Sequence, residues 1–308
     1  MRIRLGLFFV IVLTMVGCGT SENSGQPGAA VNNSGKPRVA VSILPQKWLV
    51  EKIAGDNVEV VTLVQSGDSP ATYKPTDSQV STVMGAKAHF RIGVPFEKGP
   101  WFDAIQKANR IDIVDCREGI KLREVFHECT EDETPSKHVP HGGCCGDGKD
   151  PHIWLTPKLL KIQATTMAKT LKKIDPDNEA VYDKNLAELK KRLDKLDGDL
   201  RETLKPMKDK TFFVFHPAWG YLAEEYGMEQ VAIETAGKDP SDSELTFLQN
   251  IARDVGVKVI FVQPQITGRG AAAVASAIKA RTVEIDPLSP EVEKNLRRVA
   301  DEISKSYH

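Results

Sequence analysis

Seven large apolar residues fall on one helical stripe: Tyr182, Leu186, Leu189, Leu193, Leu196, Leu200 and Leu204, at spacings of 4, 3, 4, 3, 4 and 4. That period predicts a helix of about 25 residues with a single apolar face. A face of this kind has to be covered, and what covers it constrains the whole fold. The stripe is short for a coiled-coil dimer. The expectation is a connecting helix packed along two lobes of one monomeric chain.

The flanking segments agree. From residue 37 short β-rich runs alternate with amphipathic stretches. Strands are expected at Val39–Leu44, Val58–Val64, His89–Val94 and Ile111–Val114. Helices are expected at Gln46–Ala54, after the Thr76/Gln79 capping box, and around Trp101–Ala108. Thr156 as N-cap and Pro157 in the first turn open another helix running to about Ile174. The second half repeats the rhythm. Strands are expected at Thr211–Phe215, Val257–Val262 and Thr282–Ile285. Helices are expected at Trp219–Tyr226, after the Ser241/Glu244 box, and at Arg269–Ala280. Strand–helix alternation is the signature of a mostly parallel sheet. The fold class is therefore α/β: two β/α lobes with mostly parallel sheets joined by one long connecting helix. The divisions are an N-terminal lobe at 37–175, the connecting helix at 176–206 and a C-terminal lobe at 207–308.

The first 36 residues belong to neither lobe. Met1-Arg-Ile-Arg4 precedes an apolar run, Leu5 to Val16, and then Gly17-Cys18. A basic start, an apolar core and a small residue before the break make residues 1–17 a secretory signal. Cys18 directly after it is read as a lipobox cysteine, acylated and tied to the bacterial cell membrane, facing the periplasm or cell exterior. Met15 and Val16 depart from the usual box. Residues 18–36, rich in Ser, Asn, Gly and Pro, read as a flexible tether. Without the signal, 308 − 17 leaves 291 residues, enough for two ordinary domains. Removing Arg2 and Arg4 leaves 39 basic against 42 acidic side chains, a net charge of −3. No basic stripe is present, so nucleic acid is not a partner. No later apolar run approaches the length of a membrane span.

Three residues stand just beyond expected strand ends or at the mouth of a loop: His216, Asp286 and His152. Ligands of open α/β sheets collect outside the carboxyl ends of strands. Two imidazoles and one carboxylate there form a candidate site for a divalent transition metal. The segment from His127 to Lys149 carries a second donor set: His127, Cys129, His138, His141, Cys144 and Cys145. It has no CxxC pair, so it reads as a weakly chelating loop rather than a closed zinc site. In an oxidising compartment it could instead be stapled by a bridge from Cys129 to Cys144 or Cys145, since adjacent cysteines pair awkwardly.

These residues lie in stretches that resemble the solute-binding proteins of zinc and manganese ABC importers, the TroA-like family of cluster 9. The resemblance covers residues 37–305. It is carried by Asp150-Pro-His-Ile-Trp-Leu155, Phe215-His-Pro-Ala-Trp-Gly-Tyr221, Gly237-Lys-Asp-Pro-Ser241, Val259-Ile-Phe-Val-Gln-Pro-Gln265 and Ile285-Asp-Pro-Leu288. It implies metal held between two lobes and delivered to an ABC permease, with His152, His216 and Asp286 on three of four ligand positions. The fourth departs from the family. Where members carry Asp-Pro-His-x-Tyr-Glu-Pro, this chain has Ser69-Pro-Ala-Thr-Tyr-Lys-Pro75, so Ala71 replaces a ligand and Lys74 an acid. Water or a donor from the 127–149 loop is left to fill the position.

Two imidazoles and a carboxylate suit Zn²⁺; Mn²⁺ wants more oxygen donors, and Cu²⁺ competes by affinity order alone. The expected activity is binding and delivery, not catalysis. A zinc hydrolase would use a similar ligand set with an open position, but no HExxH or other base motif accompanies it. The other alternative is a diverged adhesin or metal sensor without transport, motivated by Ala71 and Lys74.

Overall fold

The computed structural model describes residues 35–124, 148–234, 241–265 and 269–307. The signal, Cys18, the tether and all six donors of the 127–149 loop lie outside the described residues, as does the expected cysteine bridge. Among the described cysteines, Cys116 is a buried free thiol.

The N-terminal sheet contains β1 (Arg38–Val41), β2 (Glu59–Thr62), β3 (Ala88–Arg91) and β4 (Asp112–Asp115), in the order β2-β1-β3-β4. Every pairing is parallel. Between the strands run α1 (Leu44–Ala54), α2 (Asp77–Met84) and α3 (Pro100–Ala108). The C-terminal sheet repeats the plan with β5 (Thr211–Val214), β6 (Glu229–Ala232), β7 (Val259–Val262) and β8 (Arg281–Glu284), in the order β6-β5-β7-β8 and again all parallel. Each sheet thus has a switch point, between β1 and β3 and between β5 and β7. The crevice beyond such points is where open α/β sheets bind ligands.

The helices between the sheets are α4 (Pro157–Ile174) and α5 (Glu179–Leu204), followed in the C-terminal half by α6 (Gly220–Glu225), α7 (Asp242–Asp254), α8 (Arg269–Ile278) and α9 (Val292–Lys305). The leucine stripe of α5 is covered within the chain, by α4, α1 and α9. Tyr182, Leu189, Leu193, Leu196, Leu200 and Leu204 are buried. At roughly 1.5–3 kcal/mol each, these contacts rather than helix propensity hold α5 in place. The coiled-coil alternative falls, because the stripe has no face left to offer a partner. One core cluster runs from Val39 and Val41 through α5 to Phe212, Val214 and Ile303. Phe213 of β5 and Phe215 just beyond it belong to a second cluster with Leu248 and Val274.

The three caps read from sequence hold. Thr76 Oγ1 accepts from Gln79 N at 3.3 Å, Thr156 Oγ1 from Leu159 N at 3.4 Å and Ser241 Oγ from Glu244 N at 3.4 Å. Boundaries moved where side chains intervene. β1 stops at Val41 instead of reaching Leu44, because Gln46 Oε1 accepts from Ser42 N and Ile43 N and α1 begins at once.

A buried polar knot fixes the N-terminal rim of the crevice. Glu97 accepts from Ile92 N at 2.9 Å, from Gly93 N at 2.6 Å and from Ser42 Oγ. This folds the loop after β3 back and turns Val94 and Pro95 toward the crevice. Gly93 makes the turn at φ +88, and the Arg117 guanidinium occupies the space a Cβ would take. His89, in β3, lies 3.2 Å from Ser42 Oγ through Nε2, while its buried Nδ1 has no partner among the described residues. Burial, aided by the Arg91 charge, pushes the imidazole down to about 3. His89 is therefore neutral in the fold and protonates more readily in the unfolded chain. Its sign is fixed: stability is lost as pH falls from about 6.5 toward about 3, by about 1.4 kcal/mol per unit. Burial drives the Glu97 carboxyl upward, which gives an opposite slope above the ordinary Glu range. The prediction is accordingly a difference. Denaturant unfolding of wild type and His89→Gln between pH 6.5 and 4 should diverge by close to one proton. Parallel curves would show that His89 does not titrate on unfolding.

Candidate metal centre

His152 is positioned by its own tripeptide. In Asp150-Pro-His152 the Asp150 carboxylate turns back, and Oδ1 accepts from His152 N at 2.9 Å and contacts His152 Nδ1 at 2.8 Å. Ile153–Leu155 then form a single 3₁₀ turn before α4. Trp154 is buried in that turn, donating its indole N–H to Pro287 O at 2.7 Å and linking this segment to the C-terminal lobe.

His216 is positioned by strand register. β5 and β6 are parallel, with Val214 opposite Ala232. Two residues further along each strand, His216 and Glu234 meet, and His216 Nδ1 is bonded to Glu234 Oε1. Both residues are buried.

The two imidazoles face each other, Nε2 to Nε2, at 3.3 Å. Each Nδ1 is held by a carboxylate, an acceptor when ionised, so the hydrogen-bond network assigns the proton to Nδ1 and leaves a lone pair on each Nε2. In that tautomer both lone pairs face the space between the rings, where a cation could accept them. Carboxylate–histidine pairs of this kind fix ring orientation and raise basicity at metal sites. The separation has a simple reading. Two Zn–N bonds of about 2.0–2.1 Å at the tetrahedral angle place their nitrogens about 3.3–3.4 Å apart.

Both rings line a cavity of about 30 Å³ between the lobes. Its other walls include Ala71 and Pro95 from the N-terminal lobe and Gln263 and Gln265 from the C-terminal lobe. That volume suits one ion or one water. It is an order of magnitude below the roughly 300–1,000 Å³ of an organic-ligand pocket.

Asp286, two residues beyond β8, is not drawn in with the imidazoles. Its Oδ1 accepts from Gln265 Nε2 at 2.7 Å and from Leu288 N at 2.9 Å, and its carbonyl accepts from Asn295 Nδ2 at 2.7 Å. Among the described residues no three His, Cys, Asp or Glu side chains converge as a metal requires. Gln265 and Leu288, which clamp Asp286, do line the cavity, and Gln265 Oε1 is a buried acceptor without a partner among the described residues. Of the three residues named from sequence, then, the structure brings two together and holds the third behind Gln265. Ala71 takes its place on the cavity wall and contributes only a methyl group.

Sequence reading missed Glu234, Gln265 and the role of Asp150. Recognising β6 would have exposed Glu234, since parallel register then puts it beside His216.

Two parallel α/β lobes joined by a long helix, enclosing an ion-sized cavity lined by two carboxylate-backed imidazoles, define a two-lobed solute-binding protein. The chain belongs to the family of the periplasmic zinc-uptake complex component A, whose model matches residues 39–305. It is 30% identical over 290 residues to the high-affinity zinc uptake system protein ZnuA of Bacillus subtilis, covering 92% of this chain and 88% of the relative. A crystal structure of ZnuA superposes with TM-score 0.78 at 35% identity, over 89% of this chain and 100% of that one. A ZnuA deletion mutant with zinc bound gives TM-score 0.77 at 35% identity, over 88% and 98%.

Proposed function

We propose that this chain captures one Zn²⁺ between its lobes, outside the cytoplasm, and hands it to the permease of an ABC importer. The observation that carries the reading is the pair of carboxylate-backed Nε2 atoms 3.3 Å apart in a cavity the size of an ion. His152 and His216 are the ligands from the fold. Asp286 is the third, joining when its carboxylate exchanges Gln265 for the cation. Water or a donor from the 127–149 loop completes the set, and the rest of that loop's His and Cys serve as a secondary chelator. Zn²⁺ is favoured over Mn²⁺ by the nitrogen-rich set, and over Cu²⁺ only by availability.

Binding and release, not turnover, is the activity, and the lobes divide at 37–175, 176–206 and 207–308. Calorimetric titration with Zn²⁺ tests the reading. One high-affinity site per chain, retained after deletion of residues 127–149, is the expected result, with the weaker binding of the loop lost on deletion. Absence of saturable binding would overturn it.

The protein is further read as a monomer anchored to the membrane through acylated Cys18. No described helix is long and apolar enough to cross a membrane. Cys18→Ser should move the protein from the membrane to the soluble exported fraction. Retention of an acylated, membrane-bound variant would remove Cys18 from the anchor.

A further inference from the structure

The segment after β4 ends in Arg123, whose contacts cross from the N-terminal lobe to α6 of the C-terminal lobe. Arg123 N donates to Tyr221 Oη at 3.0 Å, Arg123 O accepts from Asp150 N at 2.9 Å, and Tyr221 Oη donates to Asp150 O at 2.9 Å. The side chain continues the link. Nη1 lies 3.4 Å from Asp150 Oδ2, Nε lies 2.8 Å from Glu224 Oε2, and the guanidinium carbon stands 5.6 Å from the Tyr221 ring centroid. The two oxygens of Asp150 are thereby divided, Oδ1 to His152 and Oδ2 to Arg123.

Gly220 supplies an independent observation. Its backbone is not in the left-handed region, so conformation does not call for glycine there. Space does. A Cβ on Gly220 would lie 1.5 Å from Arg123 Nη1, 2.7 Å from Arg123 Cζ and 3.1 Å from Asp150 Oδ2. The guanidinium occupies the volume that the missing side chain leaves, directly against the carboxylate that orients His152.

We infer that Arg123 is a positioning residue for the metal site, seated on Gly220 and acting on His152 through Asp150. The inference rests on the metal site proposed above. Held from both sides, the Asp150 carboxylate can neither rotate nor turn toward solvent, so His152 keeps Nδ1 protonated and Nε2 aimed at Nε2 of His216. Outer partners of metal-bound histidines are worth about 10–100-fold in affinity when removed. Arg123 acts one bond further out, at the lower end of that range. Lysine cannot replace it, because one ammonium does not serve Asp150 and Glu224 with the fixed fork of a guanidinium.

The test is a double-mutant cycle on the full chain, with Arg123→Met, Gly220→Ala and the two combined. Zinc affinity is read by competition with a chelating dye, and the His152 ring nitrogens by ¹⁵N NMR of the metal-free protein. Each single variant should weaken zinc about tenfold. The double variant should be no weaker than either single, because the alanine methyl and the lost guanidinium remove the same contact. The His152 signals of all three should shift from the Nδ1–H form toward a mixture of tautomers. Wild-type affinity in Arg123→Met, or multiplied losses in the double variant, would overturn the proposal. The NMR arm needs no metal, so unchanged His152 signals would also overturn it even in a protein that binds no zinc. A lowered melting temperature with unchanged affinity and unchanged His152 signals would reduce Arg123 to a structural lobe contact and likewise overturn it.

Discussion

Zinc titrated into the His216→Ala variant should bind at least about 100-fold more weakly than to wild type. The bound follows from comparison with outer-shell losses. Removing a group that merely orients a ligating imidazole costs about 10–100-fold, and removing the imidazole itself takes away both the donor and the reason for its orientation. His152 and Asp286 would remain, and Asp286 must first give up Gln265 and the Leu288 amide. The variant carries one complication of its own. Glu234 is buried against His216, and without the ring it becomes a carboxylate lacking that partner, which costs stability. His152→Ala is the cleaner companion, since Asp150 still faces Arg123 after the ring is gone. Both variants should lose zinc together. An unchanged dissociation constant in a folded His152→Ala protein would remove the imidazole pair from the site and leave the family's activity to other donors.

How much of this could be read in the residues differs from element to element. Helix starts were legible because capping is local chemistry: Thr76 with Gln79, Thr156 with Pro157, and Ser241 with Glu244 each satisfy backbone N–H groups within one turn. The long helix was legible because burial on one face imposes a period. β6 was not, because Glu229-Gln-Val-Ala232 opens on two polar side chains and shows neither an apolar run nor an alternation. The closing helix α9, Val292–Lys305, also went unread, although Leu296, Val299, Ala300 and Ile303 are buried along it. Its period is helical, from Val292 through Leu296, Val299 and Ala300 to Ile303, and was there to be read; its partner α5, about a hundred positions away in sequence, was not.

The site divides along the same line. His152 is set by a turn within Asp150-Pro-His152 and could be anticipated from those three residues. His216 needed the end of β5, which was also visible. The carboxylate behind His216 comes from another strand, and the amide restraining Asp286 comes from the loop after β7. Both are consequences of which strands lie side by side, information held in topology rather than in any run of residues. The sequence did show one thing that the cavity makes concrete. The position expected to carry a third imidazole carries Ala71, and Ala71 lines the same cavity as the two histidines.

Restoring that imidazole should therefore tighten the site. Ala71→His is expected to raise zinc affinity by about tenfold or more, equivalent to ~1.4 kcal/mol or greater. The backbone at this position is already ordered by its neighbours. Ala71 N donates to Ser69 Oγ at 3.3 Å, Thr72 N and Tyr73 N donate to Ser69 O at 3.1 and 3.0 Å, and Phe96 N donates to Pro70 O at 3.2 Å. The new ring would thus start from a fixed Cα, and the chief entropic cost is that of its own rotamers. Ala71 is exposed at the crevice rim, so the larger side chain can grow toward the cavity without displacing core atoms. The donor would also join His152 on the N-terminal lobe, which otherwise gives this cavity Ser69, Trp154 and aliphatic contacts. A third nitrogen there would bind the lobes together through the ion and slow its release. Competition titration gives the affinity, and X-ray absorption of the zinc-loaded variant counts the imidazoles, with one more expected than in wild type at about 2.0–2.1 Å. If affinity and imidazole count both stay at wild-type values, residue 71 does not face the bound ion, and the open position of this site lies on another side of the metal.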